Sequence, residues 1–75
     1  MKMKRVANYM ALQTVLYSVG GMENLHVYSR RDGYAGNDIY RGLHKEFKDR
    51  EKYAYCKVSG ITADESVLHI GIETE

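Results

Sequence analysis

The stretch that decides the fold is residues 53–73, YAYCKVSGITADESVLHIGIE. Its two ends, Tyr53–Ser59 and Val67–Glu73, alternate apolar and polar residues with a period of two, as half-buried strands do. The residues between them include a glycine and an Asp-Glu-Ser sequence, which are typical of a turn. The pattern predicts a C-terminal β-hairpin.

The register of this hairpin follows from matching side-chain sizes across the pair. Pairing Val58 with Leu68 places small apolar side chains opposite large ones on one face, which suits a core. The same register places Tyr55 opposite Gly71, where the aromatic ring would cover the bare backbone. On the opposite face, polar and aromatic side chains would then point outward.

Two further elements are expected before the hairpin. Residues 25–30 alternate in the same way and predict another strand, followed by a loop over residues 31–36. Asn37 or Asp38 can cap a helix that runs to about Glu51. Its apolar stripe would consist of Ile39, Tyr40, Leu43 and Phe47.

The N-terminal element has two interpretations. As a helix over residues 5–19 it places its apolar residues on one side, and Gly20 ends it. As a strand, Thr14–Val19 would join residues 22–28 through a Gly-Gly turn. Good helix formers in this segment favour the helix. The expected fold is one α+β domain over residues 1–75, ordered α-β-α-β-β; the alternative is ββαββ, one helix on a four-stranded antiparallel sheet.

Composition excludes several classes of protein. The 75 residues carry 11 basic and 10 acidic groups, a net charge of +1, so a binder dominated by electrostatic attraction to nucleic acid is not expected. The single cysteine excludes a disulfide framework and cysteine-rich zinc sites. No apolar stretch is long enough to predict a membrane span, so no membrane partner is expected. The lone thiol favours a reducing compartment, and we expect the cytoplasm.

The outer face of the predicted sheet is rich in rings. By strand parity it would carry His26, Tyr28, Tyr53, Tyr55, Lys57 and His69. Rigid amphipathic rings suit contact with another protein; alternatively, the N-terminal element covers this face as a second core layer. With the loop tyrosine added, the candidate partner-binding residues are Tyr28, Tyr34, Tyr53, Tyr55 and His69.

Basic residues suggest an alternative partner. The predicted helix would carry Arg41, Lys45, Lys48 and Lys52 along one side, near Arg30 and Arg31 of the adjacent loop. Such a basic ridge could follow a phosphate backbone, which makes a small nucleic-acid-binding protein the second hypothesis. A solvated helix face explains the same pattern more simply.

No catalytic, cofactor or metal residues are predicted. The three histidines lie 18 and 25 residues apart, without the spacing of helical zinc ligands. Strand alternation places the Cys56 side chain on the buried face of the predicted hairpin, and no two carboxylates have a sequence spacing that would bring them together. By elimination we expect a non-enzymatic protein-binding module that regulates or inhibits a larger protein by stoichiometric surface binding, with self-association left open. Chains of this size are typical of accessory regulators and of phage-type anti-host or anti-defence proteins.

Overall fold

One helix and four strands make up the fold. The computed structural model describes residues 10–31 and 34–74. In chain order the elements are helix α1 (Leu12–Tyr17), strands β1 (Asn24–Arg31) and β2 (Tyr34–Leu43), a 3-10 turn (His44–Glu46), and strands β3 (Val58–Ala63) and β4 (Val67–Glu73). The predicted α+β class and the C-terminal hairpin are confirmed.

The sheet consists of two hairpins joined side by side. Its strand order is β2-β1-β4-β3, with β1–β2 and β3–β4 antiparallel. The two central strands, β1 and β4, run parallel and place His26 beside His69 and Val27 beside Ile70. The sheet is therefore mixed, whereas the alternative prediction had an antiparallel one.

The core lies on one face of the two central strands. Alternate residues Leu25, Val27, Ile70 and Ile72 are at most 1% exposed. Helix α1 covers them with Leu12, Val15 and Leu16, and Phe47 adds an aromatic ring from the connection between β2 and β3. Burial of each such side chain stabilises the folded state by about 1.5–3 kcal/mol, so this layer is the main source of stability.

The short helix is held from outside its own sequence. Six residues are too few for an independent helix, and no side chain caps its start. Instead, the amides of Leu12 and Gln13 donate to the carbonyls of Cys56 and Ala54, both at 2.9 Å. The helix predicted for the N-terminal element is thus confirmed over Leu12–Tyr17, while residues 5–9 of that prediction lie outside the described residues.

The second predicted helix, from Asn37 or Asp38 to Glu51, is wrong. Its first part belongs to β2, and after the 3-10 turn the chain continues in turns up to β3. Pairing with β1 supplies backbone hydrogen bonds along most of β2, whereas the predicted helix would have to include Gly42 in its interior. Phe47 is buried as predicted, but from an irregular segment.

The hairpin register also differs from the prediction. Val58 pairs with Ile72 rather than Leu68, so the turn lies at residues 64–66 and the segment with Tyr53 and Tyr55 precedes the strand. The turn is tight because the Asp64 amide donates to the Val67 carbonyl at 3.1 Å and the Asp64 carboxylate accepts from the Val67 amide at 3.3 Å.

Gly71 is covered by an aromatic ring, but not the predicted one. A Cβ added at Gly71 would lie 2.9 Å from the ring carbon Cζ of Tyr28 and 2.6 Å from Cδ of Arg30. The ring of Tyr28 therefore takes the position that the sequence pattern assigned to Tyr55. Both covering side chains come from β1, the parallel neighbour of β4.

The end of β2 depends on a glycine. Gly42 has a φ of +146°, and a Cβ there would lie 2.7 Å from the hydroxyl of Tyr40. That hydroxyl donates to the Leu43 carbonyl at 2.6 Å, and the Tyr40 ring stacks on Phe47 with centroids 4.5 Å apart. Burial, with a smaller contribution from Glu46, raises the pKa of the Tyr40 phenol and keeps it a donor. Any side chain at position 42 would strain the backbone and displace this ring.

We predict that Gly42→Ala lowers the free energy of unfolding by about 1–3 kcal/mol, because the backbone conformation disfavours a Cβ and the Tyr40 ring must move. Chemical denaturation measures the change. The control is Gly20→Ala, where an added Cβ meets no atom within 4 Å. Equal stability of both variants would contradict the role given to Gly42.

Candidate functional site

The candidate site is the sheet face that α1 does not cover. We call it the outer face and define it by His26, Tyr28, Asp38, Arg41, Thr62 and His69. Strand alternation dictates its membership, because the core residues of β1 and β4 occupy the intervening positions. Five of these residues, with Gly36 in place of Arg41, line a depression of about 310 Å³.

Two histidines meet at the centre of the outer face. His26 and His69 are directly paired across the parallel central strands. Their Nδ1 atoms lie 2.8 Å apart, and their rings meet edge to face with centroids 5.1 Å apart. The His26 ring also lies 5.2 Å from the Tyr28 ring. The sheet itself, rather than a loop, thus sets the distance between the two imidazoles.

Each imidazole is tied to a carboxylate on its far side. Nε2 of His26 lies 2.7 Å from Asp38 on β2, and Nε2 of His69 lies 2.9 Å from Asp64 in the β3–β4 turn. A carboxylate can only accept, so each Nε2 donates. Arg41 extends the chain, because its Nε donates to the second oxygen of Asp38 at 2.8 Å. We call these five residues the histidine network.

The two carboxylates are stabilised in their charged form. Hydrogen bonding from Arg41, and then from His26, lowers the pKa of Asp38. Hydrogen bonding from His69 lowers the pKa of Asp64, with smaller contributions from the backbone amides of the turn. Charge-assisted hydrogen bonds favour the anion, so both groups accept hydrogen bonds at neutral pH.

The predicted partner-binding residues divide between two places. Tyr28 and His69 lie on the outer face. Tyr53 is half-buried against the core, and Tyr55 is 74% exposed on the β2–β3 connection. Both line a separate open cleft of about 1000 Å³. The side chain of Tyr34 lies outside what the structure describes.

Several residues of the outer face and of the histidine network were missed by the sequence prediction. Strand parity placed His26 on this face but did not indicate its contact with His69, which needs the parallel pairing of β1 with β4. Asp38 was assigned to a helix cap, and Asp64 to a turn without a role. Arg41 was predicted in the basic ridge, and Thr62 was not considered. Alternation alone cannot reveal a contact between strands distant in sequence.

The basic ridge of the nucleic-acid hypothesis is not formed, because there is no helix over residues 38–51. Lys45 lies in the 3-10 turn, and Lys48 and Lys52 lie in the turns that follow. Nζ of Lys52 lies 5.4 Å from the centre of the Tyr53 ring. Of the remaining members, Arg41 pairs with Asp38 and Arg30 is half-buried on β1, while the Arg31 side chain lies outside the described residues.

Two side chains outside the histidine network, His44 and Cys56, could also take part in chemistry. His44 is buried, and its Nδ1 donates to the Val19 carbonyl at 3.0 Å, while its Nε2 has no hydrogen-bond partner. Cys56 is a half-buried thiol. Across residues 10–31 and 34–74, no group of three or more His, Cys, Asp or Glu side chains is arranged to hold a metal ion. No helix in this part of the chain is long and apolar enough to cross a membrane.

Comparison with known proteins adds no functional assignment. No protein-family model, curated protein or solved structure matches this chain. The geometry and chemistry of the outer face are therefore the basis for a function.

We predict that Asp38→Asn and Asp64→Asn each remove part of the acid sensitivity of the fold. A carboxyl with a lowered pKa stabilises the native state above its ordinary pKa, and this stabilisation is lost as the pH falls through the folded-state value. Urea unfolding from about pH 5 down to about pH 2 should therefore show a shallower loss of stability in either variant than in the wild type.

The matched control is Glu65→Gln, which removes one acidic charge from the same turn as Asp64. Its stability should follow the wild-type pH dependence. If Glu65→Gln weakened the pH dependence of the unfolding free energy as much as Asp64→Asn, the effect would come from overall charge rather than from the histidine network.

Proposed function

We propose that this chain is a small non-enzymatic module that binds one larger protein through its outer face and thereby regulates or inhibits that protein. Binding would be stoichiometric. The lone cysteine suits a reducing compartment, so the proposal includes action in the cytoplasm. Accessory proteins and phage-type regulators are often of this size, which agrees with the proposal.

The observation that carries the proposal is a sheet face that no element within residues 10–31 and 34–74 covers, and that has a defined chemical pattern. Helix α1 packs on the opposite face, where it covers the core. Three rings, from His26, Tyr28 and His69, remain together at the centre of the outer face. Aromatic and arginine side chains are the residue types that dominate the energetics of protein interfaces.

The size of the molecule agrees with this use. A specific interface takes about 800 Å² from each partner. That area is about 15% of the chain's 5332 Å² accessible surface, which is comparable to one face of a small domain. The module could thus bind a partner with one face and keep its core layer unchanged.

The charges on the outer face and at its edge indicate the chemistry of the partner. Asp38 on the face and Asp64 in the adjacent turn are held as anions, so a phosphate backbone would be repelled at two points. Arg41, 63% exposed, adds a cation beside Asp38. A polar protein surface that offers carboxylate or carbonyl oxygens to Arg41 and a flat area to Tyr28 fits this pattern better than nucleic acid does.

The test is affinity capture from the source cells, with variants that change only the outer face. Thr62→Arg places a bulky cation in the depression from an exposed strand position, where little loss of stability is expected. A specific partner should be captured by the wild type, and its purified complex should have 1:1 stoichiometry. Thr62→Arg should weaken binding at least tenfold, as expected for a clash at the centre of an interface.

The matched control is Gln13→Arg, which adds the same charge on an exposed position of α1, on the opposite side of the sheet. It should bind normally. Tyr55→Ala reports on the position that the sequence pattern favoured, and it should also retain binding. The proposal fails if Thr62→Arg binds as well as the wild type, or if the protein binds oligonucleotides with an affinity that falls steeply with salt.

A further inference from the structure

We propose that the histidine network is a proton-operated switch, in which one proton shared by Nδ1 of His26 and Nδ1 of His69 ties the two hairpins together across the outer face. The inference rests on the geometry of the network alone. It does not require the proposed protein partner, although it concerns the same face.

The shared proton follows from counting hydrogen bonds. Both Nε2 atoms donate to carboxylates, so each ring already carries one proton at that nitrogen. Two unprotonated Nδ1 atoms would then face each other with their lone pairs at 2.8 Å, which is repulsive. One additional proton converts the contact into an N–H···N hydrogen bond of ordinary length. The four ring nitrogens of the pair then carry three protons, and the pair has one positive charge.

Charge balance supports this count. With the shared proton, the imidazole pair and Arg41 supply two positive charges, and Asp38 and Asp64 supply two negative charges. The network is then neutral, and each hydrogen bond in it joins a charged group to its neighbour. Without the proton, the two carboxylates would be opposed by Arg41 alone.

The surroundings allow the proton to exchange with solvent. The side chains of His26 and His69 are 14% and 26% exposed, so water reaches the pair. Among the described residues, the titratable and charged groups on or beside this face are Tyr28 and Arg30 of β1, Asp38 and Arg41 of β2, Asp64 of the turn, and Glu73 of β4, which is paired with Arg30. Thr62 is the β3 residue opposite His69, and it carries no charge.

Loss of the proton would have a defined structural effect. Either the two rings separate, or one ring carries its remaining proton on Nδ1, keeps the bond between the rings and gives up its bond to the carboxylate. His26 belongs to the β1–β2 hairpin and His69 to the β3–β4 hairpin, and each is tied to a carboxylate of its own hairpin. Deprotonation therefore removes one of three hydrogen bonds of the pair, either the bond between the hairpins or the bond of one histidine to the carboxylate of its own hairpin.

The observed distance favours a proton over a metal ion between the rings. Tetrahedral zinc binds nitrogen at about 2.0–2.1 Å, which would place two ligand nitrogens about 3.3 Å apart. The 2.8 Å separation is shorter and matches a hydrogen bond.

The test follows the imidazole nitrogens by NMR from pH 5 to pH 9, in the presence of a chelator. Only three histidines occur in the chain, so His26 and His69 can be assigned with single variants. We expect both rings to change over the same pH interval, with release of one proton by the pair. Independent changes of the two rings, or neutral rings throughout the interval, would overturn the proposal.

Stability provides a second measurement. The shared proton implies that between about pH 7 and pH 8 the folded pair still holds one proton, while the two histidines of the unfolded chain have largely released theirs. The unfolding constant of the wild type should therefore rise about fivefold over this interval, and that of His69→Gln less than twofold.

Two further variants complete this experiment. His26→Gln should behave like His69→Gln, and it preserves the test if one of the variants fails to fold. Thr62→Val changes the same depression without removing a titratable group, and it should keep the wild-type dependence. If the unfolding constant depended on pH equally in the wild type and in both histidine variants, the proposed switch would be refuted.

Discussion

The parallel pairing of β1 with β4 is the constraint on which the rest of the structure depends. It is the contact that joins the two hairpins into one sheet. On one face it brings Val27 beside Ile70 and so forms the centre of the core. On the other face it brings His26 beside His69. One register therefore sets both the hydrophobic layer and the only part of the described surface where two imidazoles meet.

A second dependence connects the helix to an irregular segment. The β2–β3 connection crosses the core face, inserts Phe47 into it and offers carbonyl groups to the first turn of α1. The helix therefore needs the connection for its hydrogen bonds, and the connection needs the helix to cover Phe47. This mutual support explains why a helix of only six residues persists without a capping side chain.

Local patterns predicted some of these features and could not predict others. Alternation identified β1, β4 and their inward residues, because the period of two along a strand shows from local sequence which side chains share a face. It failed for β2, where the Asp32-Gly33 pair typical of two-residue hairpins was interpreted as part of a longer loop. The helix expected from Asp38 onward had an apolar stripe that fits a strand and an irregular segment equally well.

The candidate site was predicted only in outline for a related reason. Parity placed Tyr28 and His69 on one surface, but which residues touch depends on which strands are neighbours. Nothing in the local sequence indicates that β1 lies beside β4. The hairpin register failed at its turn, where Asp64 uses both its amide and its carboxylate to bind Val67. Tyr55 was consequently assigned to the strand instead of the segment before it.

The position of β1 and β4 in the chain also affects how the molecule folds. Each hairpin joins strands that are close in sequence, so each can close rapidly. The central pairing joins residues 43 positions apart, as between His26 and His69. Closing such a loop has a larger entropic cost, and non-local pairing is slow. We therefore expect two preformed hairpins to associate in the rate-limiting step, with unpaired strand edges exposed until they meet.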